Sequence, residues 1–180
     1  MKHKLLGLAL LFSFAAFAND TVTFYGEVAD TTCNVTVNGA SGAVTVQLPT
    51  VAATALASSG AVTGTTPFNF TVNGCQAATG ATSTQVGMRL ISTSTANSGN
   101  LLNVAATNPA SNVVVQLLDN GTGGPKTIDF SLGEYTSILQ TKPTSAAGSL
   151  TFPFSAQYYA TAAATAGKVQ SQVQYALTYK

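Results

Sequence analysis

Apolar residues recur at every second position in a series of short runs along this chain, with Gly, Asn, Asp and Pro between the runs. A period of two turns one side of an extended backbone to a core and the other to water, so the pattern predicts strands rather than helices. The runs are residues 43–48, 68–72, 86–91, 113–118, 150–159 and 169–179, each of ordinary strand length or a little more. Asn38-Gly39, Asn73-Gly74 and Asp119-Asn120-Gly121 set residues tolerant of positive φ where strands reverse, which predicts antiparallel pairing. Residues 51–59 are Ala-rich and predict a short helical turn, while residues 160–166 are too small-sided to assign. No linker divides the chain, so the expected fold is all-β, one sandwich domain.

The beginning of the chain departs from that pattern. Lys2 and Lys4 precede an apolar run over residues 5–17, and Ala16-Phe17-Ala18 offers small residues at the two positions a signal peptidase reads. The run is shorter than the ~20 residues a spanning helix needs, so residues 1–18 are expected to be a secretory signal peptide and the mature chain to begin at Asn19. No later segment is long and apolar enough to span a bilayer as a helix, so no membrane span is expected after cleavage.

Export changes the reading of charge and of cysteine. Loss of Lys2 and Lys4 takes the basic residues from 7 to 5 against 6 acidic ones, so the net charge passes from +1 to −1. The remaining Arg89, Lys126, Lys142, Lys168 and Lys180 are scattered, which gives no basic patch for phosphates and excludes nucleic acid as an expected partner. Charged residues make up 7% of the chain, against roughly a quarter in ordinary soluble domains; such a surface suits packing against other protein. Cys33 and Cys75 are the two cysteines, and in an oxidising compartment they are expected to pair. Closing that loop restricts the unfolded chain by about 4 kcal/mol in the loop-entropy account.

Catalytic chemistry is hard to assemble from what remains. Once His3 leaves with the leader no histidine is left, so a Ser-His-Asp triad, a Cys-His pair and an imidazole metal site are excluded. Ser58-Ser59-Gly60 does not form a nucleophile elbow, and Asp20, Glu27, Asp30, Asp119, Asp129 and Glu134 show no spacing that marks an acid-base pair. Asn34-Val35-Thr36, Asn69-Phe70-Thr71 and Asn120-Gly121-Thr122 match a glycosylation triplet, a pattern short enough to arise by chance. The expectation is a protein that is not an enzyme, with no cofactor and no metal.

The informative strands lie at the two ends. In residues 20–28, Val22, Phe24, Gly26 and Val28 fall on one face, and Gly26 leaves a gap in it where another backbone can approach. At the other end Val169, Val173, Tyr175, Leu177 and Tyr179 alternate with Gln170, Gln172, Gln174, Ala176 and Thr178. An apolar terminal strand invites a second chain to add to its edge unless something covers it; periodicity alone is equally compatible with both strands pairing inside their own domain.

A family resemblance attaches to these segments. Thr21-Val22-Thr23-Phe24-Tyr25-Gly26-Glu27-Val28 followed by Cys33, then Val44-Thr45-Val46-Gln47-Leu48, Phe68-Asn69-Phe70 before Cys75, and Pro153-Phe154-Ser155-Ala156-Gln157-Tyr158-Tyr159-Ala160-Thr161 resemble the type 1 fimbrial pilins of the chaperone-usher pathway. Tyr179 as the penultimate aromatic and Gly167 at the fourteenth position from the end match that family's chaperone-recognition motif. The resemblance implies an incomplete immunoglobulin-like sandwich, residues 31–180, whose open groove is filled by strand addition, of which donor-strand complementation is a known instance. It implies residues 19–30 as the donor segment, with Val22, Phe24, Gly26 and Val28 inserted into a neighbour. It also implies Gly167, Val169, Val173, Tyr175, Leu177 and Tyr179 as the groove and chaperone edge. The implied partners are other pilin subunits, a periplasmic chaperone and an outer-membrane usher, and the implied destination is a surface fimbria that supports adhesion. Only Asn19 and Asp20 precede the Thr21 strand, which is similar to tip-adaptor subunits rather than major ones. A minor adaptor of the same pathway and a secreted β-sandwich binding module therefore stand as alternatives to a shaft subunit.

Overall fold

The computed structural model describes residues 33–75, 85–92, 94–143, 145 and 147–180; the expected leader, 1–18, and donor segment, 19–30, lie outside them. Nine strands and one short 3-10 turn make up its regular structure: β1 Asn34–Val37, the turn Ala53–Leu56, β2 Val62–Asn73, β3 Gln85–Ile91, β4 Val113–Asp119, β5 Lys126–Thr127, β6 Glu134–Thr136, β7 Gln140–Thr141, β8 Ser149–Ala160 and β9 Gln174–Tyr179. One sheet runs β1-β2-β8-β4-β5, and every pairing in it is antiparallel. The other is built on β3, which carries β9 along residues 86–91 and β6 and β7 at residues 89–91 and 85–86. A strand has two edges, so β6 and β7 run end to end along the edge opposite β9.

The two-residue period seen in the sequence is what fills the space between the sheets. Phe68, Phe70 and Val72 of β2, Val86, Met88 and Leu90 of β3, Val115 and Leu117 of β4, and Phe152, Phe154 and Ala156 of β8 are buried in one core with Ile128 and Phe130. Phe68 stands opposite Phe154 and Phe70 opposite Phe152 in the β2–β8 register. The rings of Phe68 and Phe154 stack at 5.9 Å, and those of Phe70 and Phe154 meet edge-on at 5.4 Å. Aromatic contacts of this kind add about 0.5–1.5 kcal/mol each beyond simple burial. The outer face of β4 and β8 is closed by polar residues that satisfy each other: Gln157 Nε2 donates to Gln116 Oε1 at 2.8 Å, and Thr65 Oγ1 donates to Gln157 Oε1 at 2.7 Å.

Two expectations need correction. Residues 43–48, which alternate like a strand, form no ladder among the described residues, and residues 169–173 are likewise outside a ladder, β9 beginning at Gln174. Alternation records which side of an extended segment meets the core, and it is silent about whether a neighbour exists to bond the backbone. The helical turn expected in 51–59 is the 3-10 turn Ala53–Leu56, anchored by buried Leu56. The strands β1, β5, β6 and β7 were not anticipated; at 4, 2, 3 and 2 residues they are too short to show a period.

Candidate functional site: an open groove between two unpaired edges

The two ladder-free segments face each other. Residues 43–48 form one wall and residues 169–175 the other of a groove of about 760 Å³, floored by Phe68, Phe70, Leu101, Val115, Leu117 and Ala156. Val44, Val46 and Leu48 on one side and Val169, Val173 and Tyr175 on the other pack against the core while staying only half-buried. The groove shares Leu48, Tyr158, Val169 and Gln170 with a second hollow of about 590 Å³, lined by Leu56, Ala110, Val113 and Ala164 at one end of the sandwich. The floor side chains are themselves buried, and the half-buried apolar residues of the two walls flank the opening above them.

The wall formed by residues 43–48 is tied at its two ends. The Tyr175 hydroxyl donates to the Gly42 carbonyl at 2.8 Å, and the Tyr158 hydroxyl donates to the Pro49 carbonyl at 3.1 Å. Burial raises the Tyr158 phenol above its ordinary pKa. The Tyr175 ring also lies against Phe70, 5.1 Å between centroids.

The opposite wall shows which backbone groups are spoken for. Gln85 and Lys180 exchange both main-chain hydrogen bonds, at 2.8 and 3.0 Å. Antiparallel register then assigns the bonds of Gln174, Ala176 and Thr178 to β3 and turns the N–H and C=O groups of Tyr175, Leu177 and Tyr179 outward. Further up, Lys168 and Gln170 bond the loop 102–110: Lys168 N–H donates to Asn108 at 2.7 Å, Ala110 N–H to Lys168 O at 2.9 Å, and Val104 N–H to Gln170 O at 2.7 Å. Lys168, Gln170, Gln174, Ala176 and Thr178 therefore face protein, and among the described residues no ladder covers the odd-numbered edge, the kind of edge to which a further strand can add.

Gly167, named by the sequence through a motif, has a steric reason here. A Cβ at this position would stand 2.4 Å from Ala110 N and 2.6 Å from Pro109 C, because residues 109 and 168 bridge in parallel. Val169, Val173 and Tyr175 line the groove. Leu177 and Tyr179 continue the same edge on β9, and the Tyr179 hydroxyl accepts the Cys33 N–H at 3.2 Å. Cys33 and Cys75 form a disulfide, which fixes the start of β1 beside the end of β2. The donor residues Val22, Phe24, Gly26 and Val28 lie outside the described residues. The sequence did not single out Leu101, Tyr158 or Asn103. A lone amide within Leu101-Leu102-Asn103-Val104-Ala105 was the available signal for Asn103.

The arrangement suits strand addition. Among the described residues no group of three or more His, Cys, Asp or Glu is gathered to hold a metal, and no helix is long and apolar enough to cross a membrane. Asp129, whose carboxyl is held below its ordinary pKa by hydrogen bonds from the Ser131 hydroxyl and backbone, sits in an exposed turn.

Comparison with known proteins agrees with this geometry. Residues 22–180 match the family model described as "Fimbrial protein". The chain is 40% identical to the F17 fimbrial protein of Escherichia coli, over 96% of this chain and 94% of that one. It is 41% identical to the major fimbrial subunit SMF-1 of Stenotrophomonas maltophilia, over 90% and 93%. Among solved structures it is similar to a Burkholderia pseudomallei antigen and type I fimbria protein, with a TM-score of 0.52 and 27% identity over 83% of this chain and 95% of that one. The P pilus rod subunit PapA shares the fold, with a TM-score of 0.59 at 16% identity over 82% of this chain and 99% of that one.

Proposed function

This chain belongs to the fimbrial protein family, and on that footing we propose that it is a structural subunit of a chaperone-usher fimbria, polymerising with copies of itself by donor-strand exchange. The observation that carries the reading is the pair of walls, residues 43–48 and 169–175, that face each other over an apolar floor with no ladder between them among the described residues. One extended segment laid between them supplies a ladder to both sides and covers the core in a single step. The segment is residues 22–28 of the next copy, with Val22, Phe24 and Val28 turned to the floor and Gly26 where the backbone must pass closest. Each buried side chain contributes about 1.5–3 kcal/mol, offset in part by the ordering of a flexible segment.

Before assembly the same edge, Gly167 to Tyr179, is covered by a periplasmic chaperone, and an outer-membrane usher exchanges that cover for the neighbour's segment. The subunit reaches the cell surface through the periplasm after loss of residues 1–18, and its role there is mechanical, with no catalytic step. Similarity to a major fimbrial subunit supports a place in the shaft over one at the tip. A mature chain lacking residues 19–28, made with its chaperone and usher, is expected to accumulate as a chaperone-bound monomer in gel filtration and to give no fibres in electron microscopy. Fibre growth by that truncated chain would end the proposal.

A further inference from the structure

Asn103 occupies a position that strand addition itself does not require. Its side-chain Nδ2 donates to the carbonyls of Ala110 and Lys168 at 3.0 and 2.9 Å, and its Oδ1 accepts from Ala105 N–H at 3.1 Å and Gln170 N–H at 3.0 Å. Two of these four bonds organise the loop 102–110 and two reach the groove wall at Lys168 and Gln170. Ser171 adds a fifth contact, its hydroxyl donating to the Leu102 carbonyl at 2.6 Å. Beyond Gln174 the wall is backed by β3, and before it the loop takes the place of a neighbouring strand. The loop is itself fastened to the sandwich, since Leu101 bridges Val115 of β4. An amide is suited to the task, because it presents two donors and an acceptor from one planar group.

We infer that Asn103 is a positioning residue for fibre assembly, fixing the spacing of the groove at its Lys168–Gln170 end and so setting how firmly the incoming strand is held there. The inference rests on the proposed donor-strand function. Among the described residues the wall at Lys168–Gln170 is held through Asn103 and its loop, so loosening it releases the end of the inserted strand that lies nearest and leaves the far end, backed by β3, gripped as before.

The test is the dissociation half-time, in denaturant, of fibres assembled from the full mature chain. Asn103→Ala is expected to shorten it by about tenfold, the order that loss of one to two net hydrogen bonds brings, and Ser171→Ala to shorten it less. Each is then combined with Val22→Ala and with Val28→Ala, at opposite ends of the donor segment. Partners in contact give non-additive effects and distant ones give additive effects, so coupling to one of the two donor positions and not the other is expected. A general loss of stability would be additive with both. If Asn103→Ala prevents assembly, Ser171→Ala carries the same comparison. Wild-type half-times in both variants, or additivity with both donor positions, would overturn the role of Asn103 while leaving strand exchange intact. Fibres in which neither Val22→Ala nor Val28→Ala shortens the half-time would instead remove the donor-strand reading, and this inference with it.

Discussion

Gly167 shows how a single residue can be legible as a position and illegible as a cause. The motif marks it by its distance from the chain end, but the reason for glycine is the backbone of Pro109 and Ala110 passing where a side chain would begin. A loop brought in from more than fifty residues away leaves no trace in local periodicity. The prediction is that Gly167→Ala, although only one methyl larger, forces the wall off the loop. The cost expected is about 1–3 kcal/mol, the range for overpacking a close contact, read as a lower denaturant midpoint of the assembled fibre. An unchanged midpoint would mean the loop yields without resistance. Asn103 was invisible for a related reason: an amide in a loop has no period, and its four partners lie on two segments distant from each other.

At the level of elements, the strands that were plain in the sequence are those with an apolar residue at every second place and a partner in the same chain. β2, β3, β4 and β8 fall into this class. Residues 43–48 alternate just as clearly and have no ladder among the described residues, because alternation encodes a face and a ladder needs a neighbour. The short edge strand β6 was missed, yet it supplies a tie between the two sheets: the Tyr135 hydroxyl donates to Asp119 Oδ2 of β4 at 2.7 Å. Burial first, then the hydrogen bond to Asp119 and its negative charge, raise the Tyr135 phenol well above its ordinary pKa. A raised folded pKa means that the unfolded chain loses this proton first as pH rises. The contribution is therefore complete below about pH 10, the ordinary tyrosine value, and declines above it. Tyr135→Phe is expected to lower stability by about 1 kcal/mol at neutral pH and to flatten the alkaline fall in denaturant midpoint. An equally steep fall in the variant would show that the β4–β6 tie is not its source.

The whole molecule was the most legible scale. All-β class and the Cys33–Cys75 disulfide follow from period, turn residues and cysteine count, and the structure has both. The groove was legible only through family resemblance, since an opening is defined by what a chain does not pair with. The ion pair between Arg89 and Glu134 is half-exposed, and such pairs are worth about 0–1 kcal/mol. The disulfide matters more. Cys33→Ser with Cys75→Ser is expected to destabilise the subunit by about 2–5 kcal/mol, seen as reduced recovery of the folded subunit. Recovery equal to the parent would show that β1 holds its place without it.

The covalent staple also bears on tension. Under the proposed strand exchange, a fibre drawn between a cell and its anchorage would load each subunit at Cys33. β1 on its own is four residues long and has few bonds with which to resist that pull. The sulfur bridge passes the pull to Cys75 and the adjoining end of β2, which lies along β8 over most of its length. The load is then shared by a strand of twelve residues held along β8 instead of resting on four.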